Sequence, residues 1–230
     1  MSFLLRNIEF LIERSGGTSS IPELTVPIKC IQDGSEIATP EDLVTLSNYF
    51  GHSTDSLLKR DLRVIETVSA SEIQFLVLDI DGVMTDGGMY YTEKGDEFKR
   101  FDTRDGVAIR RLTRNGFKVG IISSGFLVNI IQSRADLLGI QHVHTGQDPK
   151  LETLERWSKD LKIGMEQIAF IGDDLNDKKV MEAVGVSACP ADAVDGIKEI
   201  ASIILKKKGG RGCIREFVDQ YLLVPNRLPA

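Results

Sequence analysis

Phe75-Leu76-Val77-Leu78-Asp79-Ile80-Asp81-Gly82-Val83-Met84-Thr85-Asp86-Gly87 is the stretch that decides the fold. Four apolar residues run into an Asp-x-Asp pair and then into glycine. A short apolar run bounded by turn residues reads as a strand buried on both faces, as in a parallel sheet. Asp79 and Asp81 stand where that strand ends. Two carboxylates one residue apart at the mouth of a buried strand repel each other, and a hard divalent cation with oxygen ligands is their natural counter-charge. An acidic strand-end turn has the same local pattern, so the downstream sequence has to separate the two readings.

Downstream, strand and helix signals alternate. Residues 89–91 and 97–101, separated by Glu93-Lys94-Gly95-Asp96, read as a hairpin. Strands are expected at 117–123, 141–145, 167–171, 186–188 and 202–205. Helices are expected at 105–115, 128–138, 151–161, 178–184, 193–200 and 214–222, with Gly116, Gly139 and Gly185 closing three of them. The pattern predicts an α/β fold, a Rossmann-like parallel sheet with helices on both faces plus a β-hairpin. Ligands of such sheets bind beyond the carboxyl ends of the strands.

Polar residues collect at those ends. Asp79 and Asp81 end the first strand, and Ser123-Ser124-Gly125 ends the strand at 117–123. Lys150 opens a helix, and Gly172-Asp173-Asp174-Leu175-Asn176-Asp177 follows the strand at 167–171. Singly, Ser123 reads as a helix cap, Lys150 as a solvated lysine and the aspartates as turn formers. Together they supply a nucleophile, a metal site, a hydroxyl and a cation at one end of one sheet.

"DIDGVMTDG", "IISS", Lys150 and "GDDLND" stand in the order of the four motifs of the haloacid dehalogenase-type phosphatases, which residues 71–230 resemble. "DGVMTDGGMYY", "FDTRDGVAIR" and "GGRGCIRE" resemble the capless branch that acts on 3-deoxy-manno-octulosonate 8-phosphate. The resemblance implies Asp79 as nucleophile, forming an aspartyl-phosphate, and Asp81 as general acid and base. It implies Mg²⁺ held by Asp79, the backbone carbonyl of Asp81, and Asp173. Lys150 and either Ser123 or Ser124 would hold phosphoryl oxygens, and Asp174 and Asp177 would orient Lys150 and the metal's waters. Arg104, Asp105, Gly106, Arg110, Arg134 and Arg211 are the expected substrate-binding residues, with arginines for a sugar-acid carboxylate. The sequence departs from the branch after the hydroxyl motif, where Ser123-Ser124-Gly125-Phe126 is one residue longer before its glycine and lacks an arginine. The branch implies a tetramer in which hairpins join between subunits. The Gly209-Gly210-Arg211-Gly212 run reads either as a flexible cationic flap or as a plain loop.

Residues 1–66 read as a small all-α domain, with helices at 6–14, from 21, at 40–50 and at 54–61. Thr39-Pro40-Glu41-Asp42 is a helix start, and Leu57, Leu58 and Leu62 are expected to face inward. "TPEDLVTLSNYFGHSTDSLLKRDL" resembles the last two helices of the lambda-repressor/Cro-type helix-turn-helix family. Pro27 falls in the stretch that should hold the recognition helix. Residues 1–70 carry six basic against ten acidic side chains, a net charge of −4 that is wrong for a phosphate-binding surface. DNA binding is therefore expected to be absent, and a protein contact is the expected role.

The whole chain, 230 residues with net charge −6 and 42% hydrophobic residues, has the composition of an ordinary soluble globular protein, and its cysteine usage fits a reducing cytoplasm. It shows no apolar run of membrane-spanning length and no secretory pattern at Met1–Arg6. Its three cysteines, Cys30, Cys189 and Cys213, have neither metal spacing nor a disulfide pattern. The sequence thus predicts an Mg²⁺-dependent phosphatase of a phosphorylated 2-keto-3-deoxy sugar acid, octulosonate or nonulosonate. The alternative is a DNA-binding regulator or scaffold with a phosphatase-like domain that senses a sugar phosphate.

Overall fold

The structure is a computed structural model that describes residues 3–16, 21–52, 54–59, 61–63, 72–94, 97–125 and 128–222. The chain divides into two compact units, Met1–Thr67 and Val68–Ala230.

In the first unit α1 (Phe3–Arg14), α2 (Ile28–Asp33), α3 (Pro40–Phe50) and α4 (Thr54–Lys59) enclose Ile8, Leu11, Val26, Ile31, Leu46 and Leu57. α3 starts where its sequence says. The Thr39 hydroxyl accepts the Asp42 N–H at 3.1 Å, and the Asp42 carboxylate accepts the Thr39 N–H at 2.9 Å, a reciprocal cap. Asp42 also accepts the N–H of Thr25 at 2.6 Å and its hydroxyl at 2.9 Å. Burial alone would raise the Asp42 carboxyl, but these donors outweigh it and hold it well below the usual carboxylate range. Buried Asn7 donates to the Leu57 carbonyl and accepts the Leu62 N–H, both at 2.9 Å, tying α1 to the α4 region.

Three expectations for this unit are corrected. The helix expected from Ile21 is a series of turns until Ile28. Pro27 stands ahead of α2 as its N-cap and does not interrupt it, because a fixed φ near −65° suits a helix entry. Leu58 faces outward, 41% exposed, because Leu57 already fills the inward position. Ser53, just ahead of α4, and residues 64–71, between the first unit's helices and β1, lie outside the described residues.

The second unit runs β1 (Phe75–Leu78), β2 (Tyr90–Tyr91), β3 (Glu97–Phe98), α5 (Thr103–Arg114), β4 (Lys118–Ser123), α6 (Val128–Leu138), β5 (His142–Thr145), α7 (Lys150–Leu161), β6 (Ile168–Ile171), α8 (Lys178–Ala183), β7 (Val186–Cys189), α9 (Asp195–Lys198), β8 (Ile203–Ile204) and α10 (Cys213–Phe217). Six strands form one parallel sheet in the order β5-β4-β1-β6-β7-β8, flanked by the helices. β1 is central and wholly buried, which is why its sequence is continuously apolar. Leu78 pairs with Ile121 on one side and Ile171 on the other, so Asp79, Ser123 and Asp173 leave the sheet at one edge. Phe75, Val77, Ile122, Leu154, Phe170 and Met181 form the core beneath it.

The hairpin is shorter than expected. Tyr90 pairs with Phe98, and a Thr85–Phe101 bridge closes its base. The expected turn residues Gly95 and Asp96 lie outside the described residues. α9 is four residues, and the last helix ends at Phe217 in a wider turn, Val218–Leu222. Among the described residues, no helix is long and apolar enough to cross a membrane.

Candidate active site

Asp79 leaves β1 with its N–H on the Ile171 carbonyl at 3.0 Å, so its backbone stays registered to β6. The chain then makes a wide turn, Ile80–Met84, in which Gly82 has φ +88°. A Cβ at Gly82 would lie 2.0 Å from Asp173 Oδ2, so only glycine lets the loop after β6 close on the loop after β1. Lys150, the first residue of α7, is buried and places Nζ 2.6 Å from Asp79 Oδ1 and 2.6 Å from Asp177 Oδ1. The other Asp177 oxygen accepts the Asp173 N–H at 3.1 Å.

Carboxylate oxygens of Asp79, Asp173 and Asp177 lie within 4.8 Å of one another, against one ammonium. Burial, then the Asp177 charge, push the Asp79 carboxyl up to about 7, with Lys150 opposing. Burial, then Asp79 and Asp177, push Asp173 up to about 8. Asp173 Oδ1 is buried with no hydrogen-bond partner. A cluster this short of positive charge, with an orphaned carboxylate oxygen, fits a hard divalent cation. Asp173 has the free acceptor oxygen, whereas Asp177 holds Lys150 and the Asp173 N–H, and Asp79 shares the same ammonium.

At the end of β4, Ser123 is buried and its hydroxyl accepts the Gly125 N–H at 3.1 Å. Ser124 presents its carbonyl to Gln147 at 2.8 Å. A Cβ at Gly125 would lie 3.2 Å from Ser123 Oγ and 3.6 Å from Asp81 Oδ2, so the serine hydroxyl and the second carboxylate flank one glycine. Phe126 lies outside the described residues. The Asp81 carboxylate does not join the cluster; its Oδ1 meets Lys99 Nζ at 2.6 Å. Lys99 belongs to no motif, and no periodicity singled it out.

Several expected residues do other work. Asp174 does not reach Lys150. It is exposed and caps the following turn by accepting the Leu175 N–H at 2.7 Å. Asp105 is buried and accepts the N–H of Arg215 at 2.8 Å and of Gly212 at 3.1 Å, so its carboxylate ties down the C-terminal segment. Arg110 sits in the second half of α5, toward the amino ends of the strands, in a surface hollow with Val107, Arg114 and Asn115. Arg104 makes a two-pronged pair with Asp102, at 2.7 and 3.0 Å, and donates to the Arg211 carbonyl.

Gly106 leaves room for Arg134, since a Cβ there would meet its Nη2 at 2.7 Å. The Arg134 guanidinium stacks over Phe101 at 5.0 Å, with Nε buried and without a partner. Arg211 is exposed, 3.7 Å from Asp86. The glycines around it are not a free flap. A Cβ at Gly209 would fall 1.8 Å from the Gly82 carbonyl oxygen, and the Gly210 N–H donates to the Val83 carbonyl at 2.9 Å.

Residues 126–216 match the model of the haloacid dehalogenase-like hydrolases. The chain is 41% identical over 159 residues to the 3-deoxy-D-manno-octulosonate 8-phosphate phosphatase of Yersinia pestis, covering 69% of this chain and 84% of that one. It belongs to that phosphatase family. It is 39% identical to the enzyme of the same name from Escherichia coli K12, over 69% of this chain and 84% of the relative. The crystal structure of the Yersinia pestis phosphatase superposes with a TM-score of 0.66 at 40% identity, covering 70% of this chain and 85% of that one. The Moraxella catarrhalis phosphatase, solved with a magnesium ion, a phosphate ion and a KDO molecule, superposes with a TM-score of 0.66 at 31% identity, over 70% and 90% of the two chains. The chain is thus a phosphomonoesterase of the haloacid dehalogenase type, with magnesium as its metal.

Proposed function

We propose that this phosphatase hydrolyses the phosphomonoester of a 3-deoxy-2-keto sugar acid, 3-deoxy-D-manno-octulosonate 8-phosphate or a nonulosonate analogue, with Asp79 as nucleophile. The observation that carries the residue roles is the buried Lys150 ammonium shared by Asp79 and Asp177, beside the orphaned oxygen of Asp173. Lys150 holds the Asp79 carboxylate in one orientation, with its second oxygen free to attack. That oxygen bonds to phosphorus, the bond from phosphorus to the sugar oxygen breaks, and Asp81 gives its proton to the leaving alkoxide. Asp81, now a base, takes a proton from water, which attacks the aspartyl-phosphate and releases inorganic phosphate and Asp79. Asp79, Asp173 and the Asp81 carbonyl would hold magnesium, which when bound neutralises the acidic cluster and the phosphoryl oxygens.

Ser123, buried at the strand end, is the hydroxyl for a phosphoryl oxygen in preference to Ser124. Arg134 has an unpaired donor and is the candidate for the sugar-acid carboxylate. The cytoplasm is the proposed compartment, in keeping with three free cysteines. The acidic first unit is proposed as a protein-contact module that does not bind DNA. The assembly is proposed to be a homotetramer that covers the exposed Met89, Tyr91 and Phe98 of the hairpin.

The test is a panel of sugar phosphates assayed for inorganic phosphate with Mg²⁺ and no acceptor sugar. The octulosonate or nonulosonate phosphate should have the highest kcat/KM. A hexose phosphate turned over equally well would overturn the substrate class, and consumption of substrate without free phosphate would mean phosphoryl transfer.

A further inference from the structure

Among its described residues, the hairpin reaches Asp81 through Lys99. Lys99 follows β3, two residues before the Phe101–Thr85 bridge that closes the hairpin. Its side chain is 4% exposed, whereas that of Asp81 is 43% exposed. Its Nζ lies 2.6 Å from Asp81 Oδ1 and 3.3 Å from Glu97 Oε1. An ion pair between two solvated side chains would contribute little and hold nothing in place. Here the cation is enclosed, and its backbone runs between the Tyr90–Phe98 pair and the Thr85–Phe101 bridge, so the exposed carboxylate is the member that is held.

We propose that Lys99 is a positioning residue for the acid–base step: its ammonium anchors Asp81 Oδ1, so that Oδ2 faces the leaving oxygen. This rests on the reading of Asp81 as the general acid. Asp81 Oδ2 is the oxygen turned toward Gly125 and the Ser123 hydroxyl, the side on which the phosphoryl group is expected. The terminal torsion of an aspartate is broad and close to two-fold, so an unanchored carboxylate would present either oxygen over a wide arc. Proton transfer needs the donor within hydrogen-bond reach of the leaving atom, and narrowing that arc brings it there. Glu97, on the same ammonium, balances the charge of Lys99, so the anchor reaches Asp81 without a net positive charge behind it. The hairpin thereby becomes part of the catalytic apparatus, since Lys99 and Glu97 both belong to it.

The experiment is a leaving-group series on the full chain with Mg²⁺. Substituted phenyl phosphates, with leaving phenols from strongly acidic up to pKa about 10, are compared by kcat/KM, which reports the steps through leaving-group departure. These esters carry no carboxylate, so a direct grip of Lys99 on the sugar acid is silent in the series. A general acid matters most for the poorest leaving group, so Asp81→Asn should steepen the dependence on phenol pKa. Lys99→Met should steepen it too, with about 10-fold or greater loss at the phenyl phosphate end and under about 3-fold at the acidic end. Lys99→Arg, which keeps a donor to Oδ1, should fall between Lys99→Met and the parent.

A poorly folded variant lowers every ester in parallel, so the slope itself separates positioning from stability. A parallel loss or an unchanged line for Lys99→Met, with a steeper line for Asp81→Asn, would overturn the role of Lys99 alone. An unchanged slope for Asp81→Asn would overturn the acid assignment and the positioning role with it.

Discussion

Three carboxylates and one lysine make the centre electrostatically unbalanced at the level of single residues. Asp173 is the clearest case, pushed up to about 8 by burial and its acidic neighbours. Asp173→Asn should therefore raise the thermal midpoint of the chain in EDTA, because folding no longer has to bury or protonate that carboxyl. It should also abolish the upward shift that Mg²⁺ gives the parent, because ligand-induced stabilisation needs the site. Differential scanning fluorimetry with and without Mg²⁺ checks both; an undiminished Mg²⁺ shift would take Asp173 out of the metal site. Asp79→Asn should reduce turnover to a trace with the circular dichroism spectrum unchanged, since it removes the proposed nucleophile and leaves the strand intact. Retained turnover would mean that another group attacks phosphorus.

At the scale of elements, the loop after β1 is clamped by the glycine run that precedes α10. Gly209→Ala places a methyl group against the Gly82 carbonyl, 1.8 Å from where its oxygen now stands, and backbone has little freedom to yield. A cost of about 1–3 kcal/mol is expected, and kcat should fall further than the unfolded fraction explains, because Gly82 follows Asp81 directly. Urea melts set against kcat separate the two. The same clamp has a pH signature. Burial pushes Asp105 up to about 6, even though the N–H groups of Arg215 and Gly212 oppose it. Its folded pKa lies above the unfolded value of ~3.9, so the folded form binds the proton more tightly. The stability this proton contributes is present below pH ~4 and lost as pH rises through about 6. Asp105→Asn should flatten that fall between pH ~4 and ~6 in chemical denaturation, and an unaltered slope would assign the titration elsewhere.

For the whole molecule, the first unit and the assembly are the open quantities. Residues 1–67 form a compact unit with its own core and carry an acidic excess. That fragment should show no salt-sensitive binding to duplex DNA in fluorescence anisotropy. Micromolar binding that weakens steeply with salt would revive the regulator reading. The full chain should scatter light with a mass about four times the 25.4 kDa of one chain. A monomeric mass would end the proposal that an assembly covers the exposed hairpin residues.

The sequence by itself determined the sheet and the four strand-end motifs. Central strands buried on both faces must be apolar throughout, as Phe75–Leu78 and Ile168–Ile171 are, and helix ends carry their own local chemistry, as at Thr39-Pro40 and Gly116. Asp79, Ser123, Lys150 and Asp173 could be read because each stands at, or within two residues of, the end of such an element. The tertiary structure alone decided which way side chains turned. Asp105 looked like a substrate contact in its motif, yet it is aimed at backbone 107 and 110 residues away. The Gly209–Gly212 run reads equally as a flexible flap or a plain loop, and it is a close meeting of two loops, with no room for a Cβ at Gly209 or Gly210. Lys99 meets Asp81 across 18 residues and a hairpin whose register no local period announces. Local propensity is written in neighbouring residues, whereas these contacts depend on how distant segments come to share space.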